Sequence, residues 1–329
     1  MPKPNPNRIL EITHGSWKTQ VLYAAVSLGL FTLISEGKNT AKDIAAKIGS
    51  SEDAISRLLN ACAGLGLLAK KDGKYENTPD SEEYLVKSKP HYLGDLVLMI
   101  GSDLYKLWGE LADVVKTGTS RHRLSERMKD PEAAKGFTRA MHNNAMAPAH
   151  VMAEKIDFAD RKKLLDIGGG SGTYSITLTQ KYPDLHAVIY ELPNVVKVAD
   201  GYIAEANADR VETMDGDFHT DDLPTGYDAA LISQILHSYS PETCRTIIAK
   251  AQNALADGGL LIINEFLLND DKAGPEYTTL FSLNMLLESR GKGSSYTFAE
   301  ISKWLMAAGF KNIKRVPLSG PHVAITAEK

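Results

Sequence analysis

The sequence of 329 residues lacks several features that mark particular classes of protein. Its only two cysteines, Cys62 and Cys244, lie in segments whose apolar spacing is typical of helices, so we expect neither a disulfide framework nor a metal site. The net charge of −4 gives no strong attraction to nucleic acid or anionic lipid. No apolar run approaches the ~20 residues of a membrane-spanning helix, and the first residues lack the apolar core of a signal peptide. We therefore expect a cytoplasmic protein without nucleic-acid or membrane partners.

The amino-terminal segment is rich in apolar residues. Between Arg8 and Ile34 these residues, Trp17 and Phe31 among them, recur at helical spacing with few charges between them. One thin domain cannot easily cover so much apolar surface. We therefore expect this helical stretch to be buried against a partner chain.

Residues 39–80 have the pattern of a winged helix. Thr40 and Ser51 are placed to cap two successive helices, and a short turn at residues 71–73 separates two small strands. Winged helices often read DNA, but here the second helix begins with Glu52 and Asp53 and contains one arginine. We expect a scaffold for packing and dimerisation, with a DNA-binding regulator as the alternative.

The most informative stretch is a glycine-rich turn between a short apolar strand, residues 164–167, and a helix that begins at Thr173. A second apolar strand follows and ends at Glu191, which completes a βαβ unit. Glycines at positions 168, 169 and 170 permit a ligand to approach the backbone N–H groups. A carboxylate at the tip of the second strand can accept hydrogen bonds from both hydroxyls of a ribose. The unit predicts a nucleoside site.

Spacing separates two cofactor classes that use such a unit. A dinucleotide fingerprint requires a third small residue where this chain has Thr173. The alternative pattern Asp-x-Gly-x-Gly-x-Gly is met in full from Asp166 to Gly172. It resembles the S-adenosylmethionine (SAM) loop of class I methyltransferases. SAM is therefore the predicted cofactor, and S-adenosylhomocysteine its product.

The rest of the chain predicts a mainly parallel sheet that ends in an antiparallel pair. Strands at residues 211–214, 227–232 and 260–263 alternate with helices. The last two strands, 313–316 and 322–326, are joined by residues too few for a crossover helix, so they must be antiparallel neighbours. The predicted fold class is α/β and resembles a class I SAM methyltransferase, with a Rossmann-like sheet preceded by a helical winged-helix domain.

Candidate binding residues lie at the strand tips, because ligands in open α/β sheets bind beyond the carboxyl ends of the strands. We predict that Asp217 accepts a hydrogen bond from the adenine amino group while Leu192 and Phe218 enclose the ring. Capping of a turn is the alternative role for Asp217. The complete set of predicted cofactor-binding residues is Asp166, Gly168, Gly169, Gly170, Glu191, Leu192, Asp217, Phe218 and Ser233.

His237 and Glu265 follow two neighbouring strands and are the candidate catalytic residues. A neutral imidazole can take a proton from a hydroxyl group as the methyl group arrives. Glu265 can hold that imidazole in the required tautomer, as the acid does in a hydrolytic triad. From spacing alone, an ordinary loop histidine with an incidental partner is the alternative.

Four motifs in chain order resemble the plant caffeate-type and bacterial small-molecule O-methyltransferases. Residues 236–240 are similar to the family signature Leu-His-Asp-Trp-Ser, and residues 264–266 to its next strand tip. Residues 28–31 resemble the dimerisation signature, and residues 295–310 a late helix. The resemblance implies that His237 is a catalytic base flanked by Glu265.

The same resemblance implies a homodimer and a division of the chain into three parts. These are a winged-helix dimerisation domain at residues 1–100, a helical linker and substrate roof at 101–155, and a SAM-binding catalytic domain at 156–329. The small-molecule acceptor would then lie between Met141, Asn144, Asn284 and Met285.

Two departures from the family pattern leave the acceptor open. Ser238 replaces the aspartate that follows the catalytic histidine, and Ser295 stands where the plant enzymes place a second glutamate beside the base. We predict methyl transfer from SAM to a hydroxyl group, in the first instance a phenol, of a small molecule. The alternatives are methylation of a thiol or an acidic carbon, and a protein that binds SAM without transferring its methyl group.

Overall fold

A computed structural model describes residues 4–122 and 124–329. The chain divides into two compact units, Met1–Lys106 and Leu107–Lys329. Within the described residues, no helix combines the length and the apolarity that a membrane crossing requires. The division into residues 1–100, 101–155 and 156–329 stays a prediction.

The first unit is mostly helical and contains one small hairpin. Its elements are α1 (Asn7–Thr13), α2 (Gly15–Ser27), α3 (Leu30–Ser35), α4 (Ala41–Ile48), α5 (Glu52–Gly64), β1 (Leu68–Lys71), β2 (Lys74–Asn77), α6 (Pro79–Leu85) and α7 (Gly94–Met99). A π-helical turn (Ile100–Leu104) and the short α8 (Tyr105–Trp108) follow. Buried Leu30, Phe31, Ile44, Leu59 and Tyr75 belong to its core.

The helices and the hairpin predicted for residues 39–80 are present, and their caps explain where they begin. Thr40 Oγ1 accepts a hydrogen bond from the Asp43 backbone N–H at 3.1 Å, and Ser51 Oγ accepts one from Ala54 at 3.4 Å. Each bond satisfies an N–H group that the first turn of a helix leaves without a partner. Gly49 ends α4 in the left-handed conformation, with φ at +68°.

The apolar amino-terminal stretch forms three helices instead of one continuous helix. The chain turns at Gly29, whose φ of +68° is left-handed, before α3 begins. Within this unit Ile9, Ile12 and Trp17 are 68%, 65% and 68% exposed. Helices α1 and α2 therefore present apolar side chains on the surface of the unit, as the composition of the stretch predicts.

The second unit is an α/β domain. Its elements are α9 (Leu111–Thr117), α10 (Leu124–Arg127), α11 (Pro131–Lys155), β3 (Lys163–Ile167), α12 (Thr173–Lys181), β4 (His186–Glu191), α13 (Pro193–Glu205), β5 (Val211–Asp215), β6 (Tyr227–Ser233), a 3₁₀ turn (Leu236–Ser238), α14 (Pro241–Ala254), β7 (Leu255–Phe266), α15 (Glu276–Glu288), α16 (Phe298–Ala307), β8 (Lys311–Pro317) and β9 (His322–Glu328). Every strand predicted for this part of the chain is present.

The seven strands form one sheet in the order β5-β4-β3-β6-β7-β9-β8. Strands β3 to β7 pair in parallel, and β9 is antiparallel to both of its neighbours, which confirms the predicted terminal pair. The order reverses at β3, which lies between β4 and β6. Ligands bind at such a switch point, beyond the carboxyl ends of the strands.

One boundary differs from the prediction. The strand predicted at residues 260–263 begins earlier, because α14 ends at Ala254 and β7 begins at the next residue. The register of β7 against β6 shifts after Leu255 and resumes at Leu260. Gly258 and Gly259 lie in this irregular part of the strand, and Gly258 has a φ of +73°.

Candidate active site

The glycine-rich loop begins directly after β3 and leads into α12. Gly168, Gly170 and Gly172 all have positive φ angles, of +68°, +57° and +74°. Residues with a Cβ atom rarely adopt this conformation, which explains the spacing of the three glycines. A Cβ atom on Gly170 would meet no atom within 4 Å, so this side of the loop is open.

Glu191 ties the tip of β4 to this loop. Its Oε2 accepts a hydrogen bond from the Gly170 N–H at 3.2 Å, and its Oε1 accepts one from the Leu192 N–H at 2.7 Å. Each carboxylate oxygen has two lone pairs, so both can accept a further donor. Burial raises the pKa of Glu191, and the two backbone donors oppose that rise.

Asp166 lies beneath the loop, at the end of β3, and is 1% exposed. Ser175 Oγ donates a hydrogen bond to its Oδ2 at 2.7 Å, whereas its Oδ1 has no partner among the described residues. Burial raises the pKa of this carboxyl group to about 7, against a lowering by Ser175. An under-satisfied acid here is suited to a cationic or N–H-bearing ligand.

This raised pKa predicts a pH-dependent stability of the ligand-free protein. The folded-state pKa of about 7 lies above the ordinary value of 3.8, so the protonated form of Asp166 stabilises the folded protein. This contribution is fully present in acid and is lost as the pH rises through 7. When the pH is raised from about 5.5 to about 8, deprotonation of Asp166 should lower the free energy of unfolding by about 2 kcal/mol.

Urea unfolding of the wild type and of Asp166→Asn at both pH values measures this effect. The wild type should lose about 2 kcal/mol more than the variant, because the amide does not titrate. The same pH dependence in both proteins would contradict the prediction.

The segment after β5 holds the predicted adenine-binding residues. Asp217 Oδ1 accepts a hydrogen bond from the His219 N–H at 2.9 Å, so this side chain does cap a turn. The Phe218 ring borders the glycine loop, since a Cβ atom on Gly168 would lie 3.3 Å from its Cε1. Leu192 is half-buried beside Glu191. Phe218 thus borders the loop directly, Leu192 adjoins the Glu191 side chain that bonds to the loop, and Asp217 directly precedes Phe218.

Two further side chains support this region. Lys250 Nζ donates to the backbone oxygens of Phe218, His219 and Asp221 at 2.9, 3.2 and 2.7 Å. His142 of α11 stacks on Tyr202 at 4.0 Å. These contacts join segments far apart in the chain, and no local pattern signals them.

The same histidine reaches the start of α12. His142 Nδ1 lies 2.7 Å from Thr173 Oγ1. Burial lowers the pKa of His142 to about 4, so the ring is neutral at physiological pH. In the sequence, His142 lies between Met141 and Asn144, two residues that were predicted to bind the acceptor.

Beneath the sheet tips, Ser233 belongs to a buried polar network. Asn264 Nδ2 donates to Ser233 Oγ at 3.0 Å and to the Tyr174 hydroxyl at 2.8 Å. The network links the ends of β6 and β7 to the first turn of α12. Ser233 is therefore linked through Asn264 to Tyr174, in the first turn of the helix that follows the glycine loop.

The structure brings the two candidate catalytic residues together. His237 Nδ1 lies 2.7 Å from Glu265 Oε2, and the two residues are 7% and 2% exposed. The His237 backbone N–H also donates to Glu265 Oε1 at 3.3 Å. A carboxylate can only accept, so Nδ1 carries the proton and the Nε2 lone pair is left for another partner.

Other contacts hold the 3₁₀ turn that carries His237. The Cys244 thiol donates to the Leu236 carbonyl oxygen at 3.2 Å, and the Tyr296 hydroxyl donates to that of Tyr239. The Ser294 N–H donates to the His237 carbonyl oxygen at 2.9 Å. Cys244 is therefore a fully buried residue that supports the turn.

Helix α15 forms a wall beside His237. The Phe281 ring packs edge-on against the imidazole at 4.9 Å, and Ser238 Oγ lies 4.0 Å from Met285 Sδ. Asn284 Oδ1 accepts a hydrogen bond from Trp108 Nε1 at 2.9 Å. Four residues were predicted to bind the methyl acceptor. Two of them, Asn284 and Met285, therefore lie on the helix that contacts the candidate base.

The other two predicted acceptor residues, Met141 and Asn144, are half-buried on α11. Met141 directly precedes His142 and Asn144 lies two residues after it, so both are close in the chain to the residue that contacts Thr173 at the start of α12. Ser295 is 1% exposed, and its Oγ has no partner among those residues. Within residues 4–122 and 124–329, no cluster of three or more metal-binding side chains occurs.

Two family models match the chain. The model of the O-methyltransferase domain matches residues 108–311, and that of the O-methyltransferase dimerisation domain matches residues 10–87. The first covers more than half of the chain and contains the glycine loop, His237 and Glu265. The second covers most of the first unit.

Known proteins are similar over nearly the full length. The 3-hydroxy-5-methyl-1-naphthoate 3-O-methyltransferase of Streptomyces sahachiroi is 33% identical over 321 residues, which are 96% of this chain and 92% of that protein. The acetylserotonin O-methyltransferase of Gallus gallus is 31% identical over 325 residues, which are 94% and 93% of the two chains.

A solved structure has the same fold and carries the cofactor. Human N-acetylserotonin methyltransferase in complex with SAM superposes with a TM-score of 0.91 at 26% identity, covering 100% of this chain and 99% of that one. The chain therefore belongs to the family of SAM-dependent O-methyltransferases that carry an amino-terminal dimerisation domain.

Proposed function

We propose that this O-methyltransferase acts on a phenolic small molecule and that His237 accepts the proton of the phenol. The observation that carries the proposal is the buried pair of His237 Nδ1 and Glu265 Oε2, 2.7 Å apart at the carboxyl edge of the sheet. The Streptomyces relative is a 3-O-methyltransferase of a hydroxynaphthoate, and this similarity supports an aromatic acceptor for this chain as well.

The loop residues fit the cofactor of the family. The open side of Gly170 leaves room for a ligand against the backbone, and Glu191 retains lone pairs for ribose hydroxyls. The Oδ1 atom of Asp166 is free to receive a donor. When bound, SAM supplies a methyl group on a positively charged sulfur. We propose that it is held by Asp166, Gly168, Gly169, Gly170, Glu191, Leu192, Asp217, Phe218 and Ser233.

The role of His237 follows from the acidity of the acceptor. A phenol has a pKa of about 10 and is almost fully protonated at neutral pH. In the proposed step the phenol oxygen would form a bond to the methyl carbon as the bond from that carbon to the sulfur of SAM breaks, so that S-adenosylhomocysteine leaves and the phenol proton passes to His237 Nε2. Glu265 holds Nδ1–H and stabilises the imidazolium that results. The rate also depends on how well the attacking oxygen is aligned.

Met141, Asn144, Asn284 and Met285 are proposed to bind the acceptor. The proposed role of Asn284 and Met285 is supported by their position on α15, because contacts of this helix reach His237 and Ser238. Met141 and Asn144 are supported only by their position on α11 beside His142. The methionines would provide adaptable apolar walls and the asparagines hydrogen bonds.

We propose that the protein is a homodimer. The match of residues 10–87 to a dimerisation domain supports this assembly. The exposed apolar side chains of α1 and α2, such as Ile9, Ile12 and Trp17, support it independently, because apolar groups so exposed commonly form an interface.

A matched phenol and thiol test the proposed reaction. Purified enzyme incubated with SAM and 2-naphthol should yield the methyl ether and S-adenosylhomocysteine in equal amounts, measured by mass spectrometry. A parallel reaction with 2-naphthalenethiol, and reactions without enzyme, serve as controls. Methylation of the thiol alone would favour an S-methyltransferase, and tight binding of SAM without transfer to either acceptor would favour a regulatory protein.

A further inference from the structure

The last turn of α15 holds a carboxyl group that the proposed reaction does not use. Trp108 Nε1 donates to Asn284 Oδ1 at 2.9 Å, and Asn284 Nδ2 donates to Glu288 Oε2 at 2.6 Å. An indole nitrogen can only donate, so it fixes the orientation of the Asn284 amide. That orientation directs the amide donors toward Glu288 and holds its carboxylate in place.

This carboxylate lies on the acceptor side of His237. Phe281, Met285 and Glu288 are four and three residues apart and share one face of the helix. Phe281 contacts the imidazole and Met285 contacts Ser238, so that face looks toward the candidate base.

Stability does not explain a carboxylate at this position. Glu288 is the last residue of α15, where the helix dipole disfavours a negative charge. Burial raises its pKa, against the combined lowering by Asn284, Arg127, His237 and His122. Those partners therefore compensate only part of the cost of burying the charge, and a cationic ligand would compensate more of it.

We propose that Glu288 selects acceptors that carry a protonated basic nitrogen in addition to the hydroxyl group. The phenol oxygen must reach His237, and the face of α15 then brings the remainder of the acceptor past Met285 to Glu288. An ammonium group there forms a charge-assisted hydrogen bond with the fixed carboxylate. This inference rests on the proposed function, since it assumes that the acceptor lies against His237.

Four phenols that differ in one substituent test the inference. They are tyramine, N-acetyltyramine, 4-ethylphenol and 3-(4-hydroxyphenyl)propionate, titrated calorimetrically into enzyme saturated with S-adenosylhomocysteine. We expect tyramine to bind ~10- to 100-fold more tightly than 4-ethylphenol, and the propionate to bind most weakly. Glu288→Gln should remove most of this preference for tyramine and leave the affinity for 4-ethylphenol unchanged.

Three variants make the test specific. Glu276→Gln changes an exposed glutamate at the other end of the same helix and should leave all four affinities unchanged. Glu288→Asp keeps the charge and should retain part of the preference, even where Glu288→Gln folds poorly. The preference should also persist in His237→Ala, so a failure of the proposed base chemistry would not be mistaken for a failure of this inference.

Several results would overturn the inference. Equal affinities for tyramine and N-acetyltyramine would mean that an N–H donor suffices and charge is not selected. An equal loss for all phenols in Glu288→Gln would indicate a structural role, and a change only in the pH profile of turnover would make Glu288 a modulator of His237. Binding of none of the four phenols would equally refute recognition of a phenolic amine.

Discussion

Replacement of His237 by alanine should lower kcat for a phenol of ordinary acidity by about 10²- to 10⁴-fold, the usual contribution of a general base. The affinity for SAM should stay unchanged, because His237 is not among the residues proposed to hold SAM, which lie at β3, β4, the loop after β5 and the end of β6. The loss should be smaller for a nitrophenol, which is largely ionised near neutral pH and needs no base. Steady-state kinetics with both phenols, together with titration of SAM, measure these effects.

His150→Ala is the matched control for this prediction. His150 is an exposed histidine of α11 whose Nδ1 lies 2.9 Å from the Met146 carbonyl oxygen. Its replacement should change neither turnover nor cofactor affinity. Near-normal turnover of ordinary phenols by His237→Ala would refute the base and leave alignment of the reactants as the source of the rate.

Replacement of Glu191 by alanine should weaken the binding of both SAM and S-adenosylhomocysteine by about 100-fold or more. The variant loses two acceptor oxygens proposed to bind the ribose, and a hydrogen bond to a charged group contributes about 1.5–3 kcal/mol. It also loses the 3.2 Å bond that ties β4 to Gly170. Isothermal titration with each nucleoside measures the change.

The kinetic pattern of Glu191→Ala should differ from that of His237→Ala. The KM for SAM should rise while kcat at saturating SAM changes little, because the reacting oxygen and its base are untouched. Glu205→Ala, an exposed substitution at the end of α13, is the control. Unchanged nucleoside affinity in Glu191→Ala would mean that the glycine loop serves another purpose.

The parts of the fold that depend on local patterns could be predicted from the sequence. The βαβ unit around Gly168 was predicted because its strands are short apolar runs and its turn is rich in glycine. The antiparallel order of β8 and β9 was predicted because their connection is too short to cross the sheet. In both cases geometry along the chain leaves one solution.

Elements whose limits depend on packing were predicted less well. The apolar stretch between Arg8 and Ile34 has one helical period, but Gly29 turns the chain within it. The start of β7 at Leu255 depends on pairing with Tyr227 across the sheet and not on the residues nearby. Such boundaries follow from tertiary contacts that a single sequence does not display.

In the candidate site, too, some contacts follow from local patterns in the sequence and others depend on tertiary packing. The pairing of His237 with Glu265 could be anticipated because His237 comes shortly after β6 and Glu265 lies at the end of the neighbouring parallel strand β7. The bond from Trp108 to Asn284 joins residues 176 positions apart, and the three contacts of Lys250 reach back to the segment at Phe218. Because these side chains lie in ordinary helical patterns, only the folded chain reveals what they support.

Helix α15 lies between β7 and α16 in the chain and contributes no strand to the sheet. The residues proposed to recognise the acceptor on this helix are thus one contiguous segment, separate from the strand tips proposed to hold the cofactor. Substitutions at Met285 and Glu288 should alter the choice of acceptor, whereas Phe281 of the same helix also packs against Phe266 of β7 at 4.7 Å and supports the sheet. A related enzyme could therefore diverge in substrate range, or be re-engineered by exchange of this one helix, while it keeps the same methyl donor.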